Sequence, residues 1–174
     1  MAELNLKRAQ RRVSRRKKGS TRRRKAVKLL AKAHQTVKRQ RQDFHHKTAL
    51  ALVRHYDTIS HEALQTANMR KNHQLAKSIV DAGWSRFLSI LSFKAAYAGK
   101  TVVAVPPAYT SQACSGCGVI VKKGLSVRWH TCPDCGTRLH RDHNAALNIL
   151  RLGKASRAGQ TPQALTQPVG AYVA

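Results

Sequence analysis

The sequence predicts an α/β chain carrying a small metal module, and three observations lead there. Two runs rich in β-branched and aromatic residues, at 55–61 and at Thr101–Val105, flank a stretch of helical periodicity. A long basic stretch of helical spacing precedes them, and all four cysteines sit in two CxxCG pairs between Cys114 and Gly136.

Residues 1–41 hold 17 Lys or Arg and one acid, Glu3, with Gly19-Ser20 breaking the run. This pattern predicts a basic helix, a break and a second helix. From Thr21, the positions Val27, Leu30, Ala31, Ala33, Val37, Phe44, Leu50, Ala51 and Leu52 recur near helical spacing, so one long helix should reach about Val53.

The segment His55–His61 then reads as a strand ending near Glu62. Asn72 offers an N-cap to a helix with an apolar stripe of Ile79, Trp84, Phe87, Leu88, Leu91 and Tyr97, and Gly99 should stop it. Thr101–Val105, followed by Pro106-Pro107, has the continuous apolar pattern of a strand covered on both faces. The order strand, helix, strand predicts a crossover with parallel pairing.

After the cysteine module, Asp142–Leu150 reads as a short helix ended by Gly153. The stretch from Ala155 to Ala174 mixes Ala, Gly, Pro, Ser, Thr and Gln without period and should be disordered. The predicted divisions are a basic segment (1–20), an α/β part with two strands (21–108), the cysteine module (109–140), a final helix (141–153) and a disordered tail (154–174).

Lys and Arg number 33 against seven acids, a formal charge of +26. Such an excess repels itself unless a polyanion is near, which makes DNA or RNA the natural partner. No apolar stretch approaches the roughly 18 residues needed to span a bilayer, and MAELNLKRAQRR lacks a signal-peptide core. A cytoplasmic, nucleoid-associated protein without membrane contact is expected. In a chain with no sign of export, thiols stay reduced, favouring metal ligation over disulfides.

Cys114-Ser-Gly-Cys117-Gly118 and Cys132-Pro-Asp-Cys135-Gly136 are separated by 14 residues. Each CxxCG turn brings two sulfurs to one side, and each glycine supplies the positive φ that such a turn needs. Four thiolates close a tetrahedral shell around zinc, so the site is structural rather than catalytic. His130 and His140 are therefore expected to meet solvent or nucleic acid. Lys122, Lys123, Arg128, Trp129, Arg138 and Arg141 surround the knuckles and could grip phosphates, with Trp129 stacking a base or packing the module.

Two acids occupy suggestive places: Glu62 after a predicted strand and Asp142 at the start of HRDHNAALNIL. Together with RRVSRRKKGSTRRRKA, DFHHKTALALVRHYDTISHEALQ, MRKNHQLAKSIVDAGWSRF, TSQACSGCG and CPDCGTRLHRDHNAALNILRLG, they make the chain resemble, from about Leu6 to Gly153, the C-terminal half of the TnpB/OrfB transposon-encoded nucleases, relatives of the type V CRISPR effectors.

The resemblance implies a partial RNase H-like RuvC domain with long helices and an inserted zinc ribbon, guided to DNA by RNA. It makes Glu62 the second and Asp142 the third RuvC acid, both as ligands of catalytic Mg²⁺. Apart from the resemblance, 17 cations in 41 residues exceed what solubility needs, so Arg15, Arg16, Lys17, Lys18, Arg22, Arg23, Arg24 and Lys25 are expected to contact the nucleic-acid backbone, joined on the cysteine module by Arg128, Trp129 and Arg141. The family's first aspartate, in a GIDxG-type motif, has no counterpart here, nor do its first three strands. The expectation is a truncated nuclease, inactive alone and completed by a missing N-terminal half or partner chain; the alternative is a non-catalytic binding module. Ala63 and Gln65 also depart from the family pattern.

Overall fold

The computed structural model describes residues 2–124 and 126–159. The chain divides into two compact units, Met1–Leu52 and Val53 onward.

The first unit is built from α1 (Ala2–Ser14) and most of α2 (Thr21–His55). The predicted break falls at Gly19, whose φ of 82° is left-handed. Ser20 then caps α2, its Oγ accepting from the backbone N–H of Arg23 at 3.2 Å. α2 continues through His55, so that residue is helical and the first strand begins three residues later than predicted.

The second unit contains β1 (Thr58–Glu62), α3 (Thr66–Met69), α4 (Ala76–Ala82), α5 (Trp84–Tyr97), β2 (Thr101–Val105), β3 (Trp129–Thr131), β4 (Arg138–His140) and α6 (Arg141–Arg157). β1 and β2 pair in parallel, from Thr58 opposite Thr101 to Glu62 opposite Val105, as the strand, helix, strand order predicts. α5 packs on β2, and α6 packs on both strands. Leu91, Ala95, Val105 and Leu152 are buried here.

Several expectations are corrected. The single helix predicted from Asn72 is split, because Gly83 adopts φ 61° and both ends α4 and starts α5. Asn72 is not its cap; its Oδ1 accepts from the Gln74 N–H at 3.1 Å, forming a local turn. Of the predicted apolar stripe Leu91 is buried and Ile79, Phe87 and Leu88 are half-buried, while Trp84 and Tyr97 are 48% and 91% exposed. β2 is buried only at Val105, since it belongs to a two-stranded sheet.

α6 runs through Gly153, so Lys154–Arg157 are helical rather than tail; residues 160–174 of the predicted tail lie outside the described residues. The glycine has a packing role. A Cβ at position 153 would meet the Cβ of Ser60 at 2.7 Å, so only glycine lets α6 come this close to β1. Farther along the same seam, Arg157 Nη1 donates to Thr58 Oγ1 at 2.7 Å. α6 therefore runs antiparallel to β1, with its N-terminus toward the Glu62 end of the strand.

Candidate metal and nucleic-acid sites

The two CxxCG turns are built alike. Cys114 N–H donates to Val119 O and Gly118 N–H to Cys114 O, at 2.8 and 2.9 Å; Cys132 N–H donates to Thr137 O and Gly136 N–H to Cys132 O, at 2.9 and 3.1 Å. Gly118 and Gly136 take φ of 87° and 71°, a conformation costly for any residue with a Cβ. Gly116 lets the turns approach, because a Cβ there would sit 2.8 Å from Thr137 Oγ1. The module closes through the antiparallel pair β3 and β4.

All four sulfurs lie within 4.8 Å of one another. Cys114 and Cys135 are 3.6 Å apart, and Cys117 and Cys132 3.5 Å. These separations are far beyond a disulfide bond of about 2.05 Å. They approach the roughly 3.8 Å edge of a tetrahedron with metal–sulfur bonds of about 2.3 Å. The donor set thus fits a four-coordinate metal ion. The thiols hold their protons unequally: hydrogen bonds from the Thr137 hydroxyl and backbone bring Cys135 down to about 6. At Cys117 the Val119 backbone N–H also pulls downward, but the neighbouring sulfurs, Cys135 foremost, and burial outweigh it and push the thiol up to about 12.

His130 departs from its expected solvent or nucleic-acid contact: it is fully buried and its Nδ1 meets Lys123 Nζ. Burial, and then the facing Lys123, pulls its pKa down; burial, and then Arg141, lowers that of Lys123. His140 caps α6, its Nδ1 accepting from the Asp142 N–H at 3.4 Å.

Two fully buried asparagines one turn apart fasten the module to α6. Asn144 Oδ1 accepts from Ser115 N–H at 2.9 Å and its Nδ2 donates to Ala113 O at 2.7 Å. Asn148 Nδ2 donates to Ala113 O at 2.8 Å and to Thr110 O at 3.0 Å.

Glu62 is half-buried at the end of β1, and its Oε1 accepts from Thr110 Oγ1 at 2.5 Å. Asp142 lies in the first turn of α6, its side chain 74% exposed. The two acids lie toward the same end of the α6–β1 contact, but Asp142 stands roughly 10 Å farther along it than Glu62, since eleven helical residues span about 16 Å and two strand residues about 7 Å. Ser60 and Glu62, two apart on a strand, project from one face of β1, and Gly153, against Ser60, lies on the same face of α6 as Asp142, eleven residues or about three turns away. Among the described residues, the cysteines form the one group of three or more metal-ligating side chains; neither Glu62 nor Asp142 belongs to such a group.

In the first unit, Arg15, Arg16, Lys17 and Lys18 fill the exposed turn after α1, and Arg22, Arg23, Arg24 and Lys25 the first turn of α2. Four cations beside the positive end of a helix dipole, with no acid in that turn, are unfavourable unless an anion is near. Arg23 is used internally, its Nη1 donating to Val13 O at 3.0 Å and Arg16 O at 3.1 Å. A cleft of about 740 Å³ is lined by Asn5, Arg8, Ala9, Arg11, Arg12, Arg15, Arg16 and Leu29. On the module, Trp129 is 55% exposed, with the Arg138 guanidinium 5.5 Å from its ring centre and the His140 ring edge-on at 5.9 Å. Arg128 is exposed and its carbonyl accepts from Arg141 N–H at 2.7 Å.

Comparison with known proteins decides the lineage. Residues 2–73 match the OrfB_IS605 family, described as "Probable transposase", and residues 84–149 match the Cas12f1-like TNB domain. A "Putative RNA-guided DNA endonuclease" of Streptomyces pristinaespiralis is 42% identical over 155 residues, covering 88% of this chain and 38% of that one. InsQ of Escherichia coli K12, with the same description, is 34% identical over 169 residues, covering 88% and 42%. The chain belongs to the TnpB family. It spans about two fifths of the length of these curated relatives.

One chain of a Cas12f1–sgRNA–target DNA complex superposes with a TM-score of 0.56 at 22% identity, covering 74% of this TnpB-family chain and 38% of that one, a likeness of fold. No helix among the described residues is long and apolar enough to cross a membrane. Sequence reading overlooked Thr110, Asn144 and Asn148 as individual residues. Two asparagines four apart on one helix face were the available signal, since asparagine is a poor helix former unless its amide has work to do.

Proposed function

We propose that this chain is a nucleic-acid-binding part of a TnpB-type RNA-guided DNA endonuclease. In this reading residues 21–108 and α6 contribute part of an RNase H-like RuvC domain, and residues 109–140 form an inserted zinc ribbon. Cys114, Cys117, Cys132 and Cys135 hold zinc, which supplies structure and leaves no open coordination position. The sulfur separations of 3.5 and 3.6 Å support the ribbon.

The observation that carries the nuclease reading is the direction of α6 along β1, which puts Glu62 at the end of β1 and Asp142 at the start of α6 toward the same end of the α6–β1 pair. Both are hard oxygen donors suited to Mg²⁺, which, when bound, activates water and stabilises the leaving oxygen of a phosphodiester. Thr110 orients Glu62, and the basic turns and cleft of residues 5–25 hold DNA or guide RNA by its phosphates. Two carboxylates fall short of a two-metal site, so this 174-residue polypeptide is expected to bind without cutting unless a third carboxylate is supplied from elsewhere.

The non-catalytic alternative draws on the 74% exposure of Asp142, which suits an ordinary helix-start acid as well as a ligand. A Mn²⁺ titration followed by NMR separates them. Paramagnetic broadening concentrated at Glu62 and Asp142, and lost in Glu62→Gln, supports the cation site; broadening spread evenly over all the acids leaves the binding module.

A further inference from the structure

A chain of hydrogen bonds joins the first CxxCG turn to Glu62. Ser115 N–H reaches Asn144, Asn144 and Asn148 both donate to Ala113 O, Asn148 also donates to Thr110 O, and Thr110 Oγ1 donates to Glu62. The Thr110 hydroxyl has one proton, and of its two acceptors Glu62 Oε1 at 2.5 Å is closer than Pro107 O at 3.2 Å. Thr110 is 3% exposed and both asparagines are fully buried, so water cannot readily replace these partners. The preceding residue, Tyr109, has φ 61°, the one positive φ outside glycine among the described residues. A bulky residue is held in that region only where its surroundings fix it.

We infer that Thr110 is a positioning residue for Glu62, and that the asparagine pair makes the order of the Glu62 carboxylate depend on the metal state of the ribbon. The inference rests on the proposed reading of the cysteines as zinc ligands. Ala113 and Ser115 flank Cys114, so whatever fixes that sulfur fixes both backbone partners of Asn144 and one of the two carbonyls held by Asn148. Loosening the turn releases Asn148 from Ala113 and slackens its hold on Thr110. By linkage, a cation bound at Glu62 tightens zinc as much as zinc tightens the cation.

The experiment uses the full chain, reduced and metal-free, titrated with zinc while NMR follows the cysteine Cβ carbons, the Thr110 amide and the Glu62 carboxyl carbon. In the unmodified chain all three should change together and stop at one equivalent. Thr110→Val keeps the carbonyl that Asn148 grips and removes only the hydroxyl. The cysteine and position-110 signals should still respond, and the zinc-induced change at Glu62 should be lost. Thr110→Ser should restore it, a rescue that a purely structural role of Thr110 would not produce. Cysteine shifts without any Glu62 response in the unmodified chain overturn the coupling, whatever the variants do. An equal Glu62 response in Thr110→Val overturns the role of Thr110. Absence of any cysteine shift overturns the zinc reading and the coupling with it, so the two failures are distinguishable.

Discussion

Gly153 of α6 lies against Ser60 of β1 so closely that a Cβ at position 153 would stand 2.7 Å from the Ser60 Cβ. Glycine in a helix interior ordinarily costs about 1 kcal/mol relative to alanine. Here the sign should reverse, because overpacking a fitted contact costs about 1–3 kcal/mol. Gly153→Ala should lower stability in urea unfolding, and Ser60→Gly in the same chain should recover part of the loss. A stabilised single variant would contradict the close approach.

Asn144→Ala leaves the half-buried Ser115 N–H without its acceptor and removes one of the two side-chain donors to Ala113 O, on either side of Cys114. A buried polar group left without its partner costs about 1–3 kcal/mol. The variant should release zinc to a chelator faster than the unmodified chain. An unchanged release rate would show that the asparagine does not secure the first turn.

Purified protein should carry one equivalent of zinc by elemental analysis. Cys117→Ser or Cys135→Ser, each losing one thiolate, should lower affinity by more than the roughly 10–100-fold typical of changes outside the ligand shell. Because the ligands are thiolates, protons compete with the ion; affinity falls as pH falls and rises as the thiols ionise. Zinc retention that is independent of pH and of these cysteines would place the metal elsewhere.

Binding to duplex DNA should weaken steeply with salt. If Arg12 and Arg16 each contact a phosphate from the cleft, their joint replacement by alanine should reduce the log–log salt slope by about 0.9 per lost contact. Arg23→Ala should act differently, loosening the turn between α1 and α2 by freeing the carbonyls of Val13 and Arg16, which circular dichroism would register as lost helix. Equal salt slopes in the unmodified chain and the double variant would remove the cleft from the interface.

Local chemistry made much of this legible. The positive-φ glycines of the CxxCG turns, the Gly19 break and the β-branched run of β2 act through neighbours in sequence, and each lies where the sequence predicted. The misses depend on distant contacts. Gly153 reads as a helix stop until Ser60 is seen against it, and His130 reads as a surface histidine until the module closes over it beside Lys123. Gly83 lies within an unbroken apolar period, and only its left-handed backbone divides α4 from α5. Glu62 and Asp142 stood out by family pattern, whereas Thr110, which holds Glu62, carries no motif of its own.

The most direct test is Mg²⁺-dependent cleavage of plasmid DNA by this chain alone, by the chain mixed with the segment of a TnpB relative that carries the family's first aspartate, and by that mixture with Glu62→Ala. The expected result is no cutting by the chain alone, guide-dependent cutting by the mixture, and its loss with Glu62→Ala. Mg²⁺-dependent cutting by the chain alone that Asp142→Ala abolishes would contradict the reading of Glu62 and Asp142 as two parts of an incomplete site.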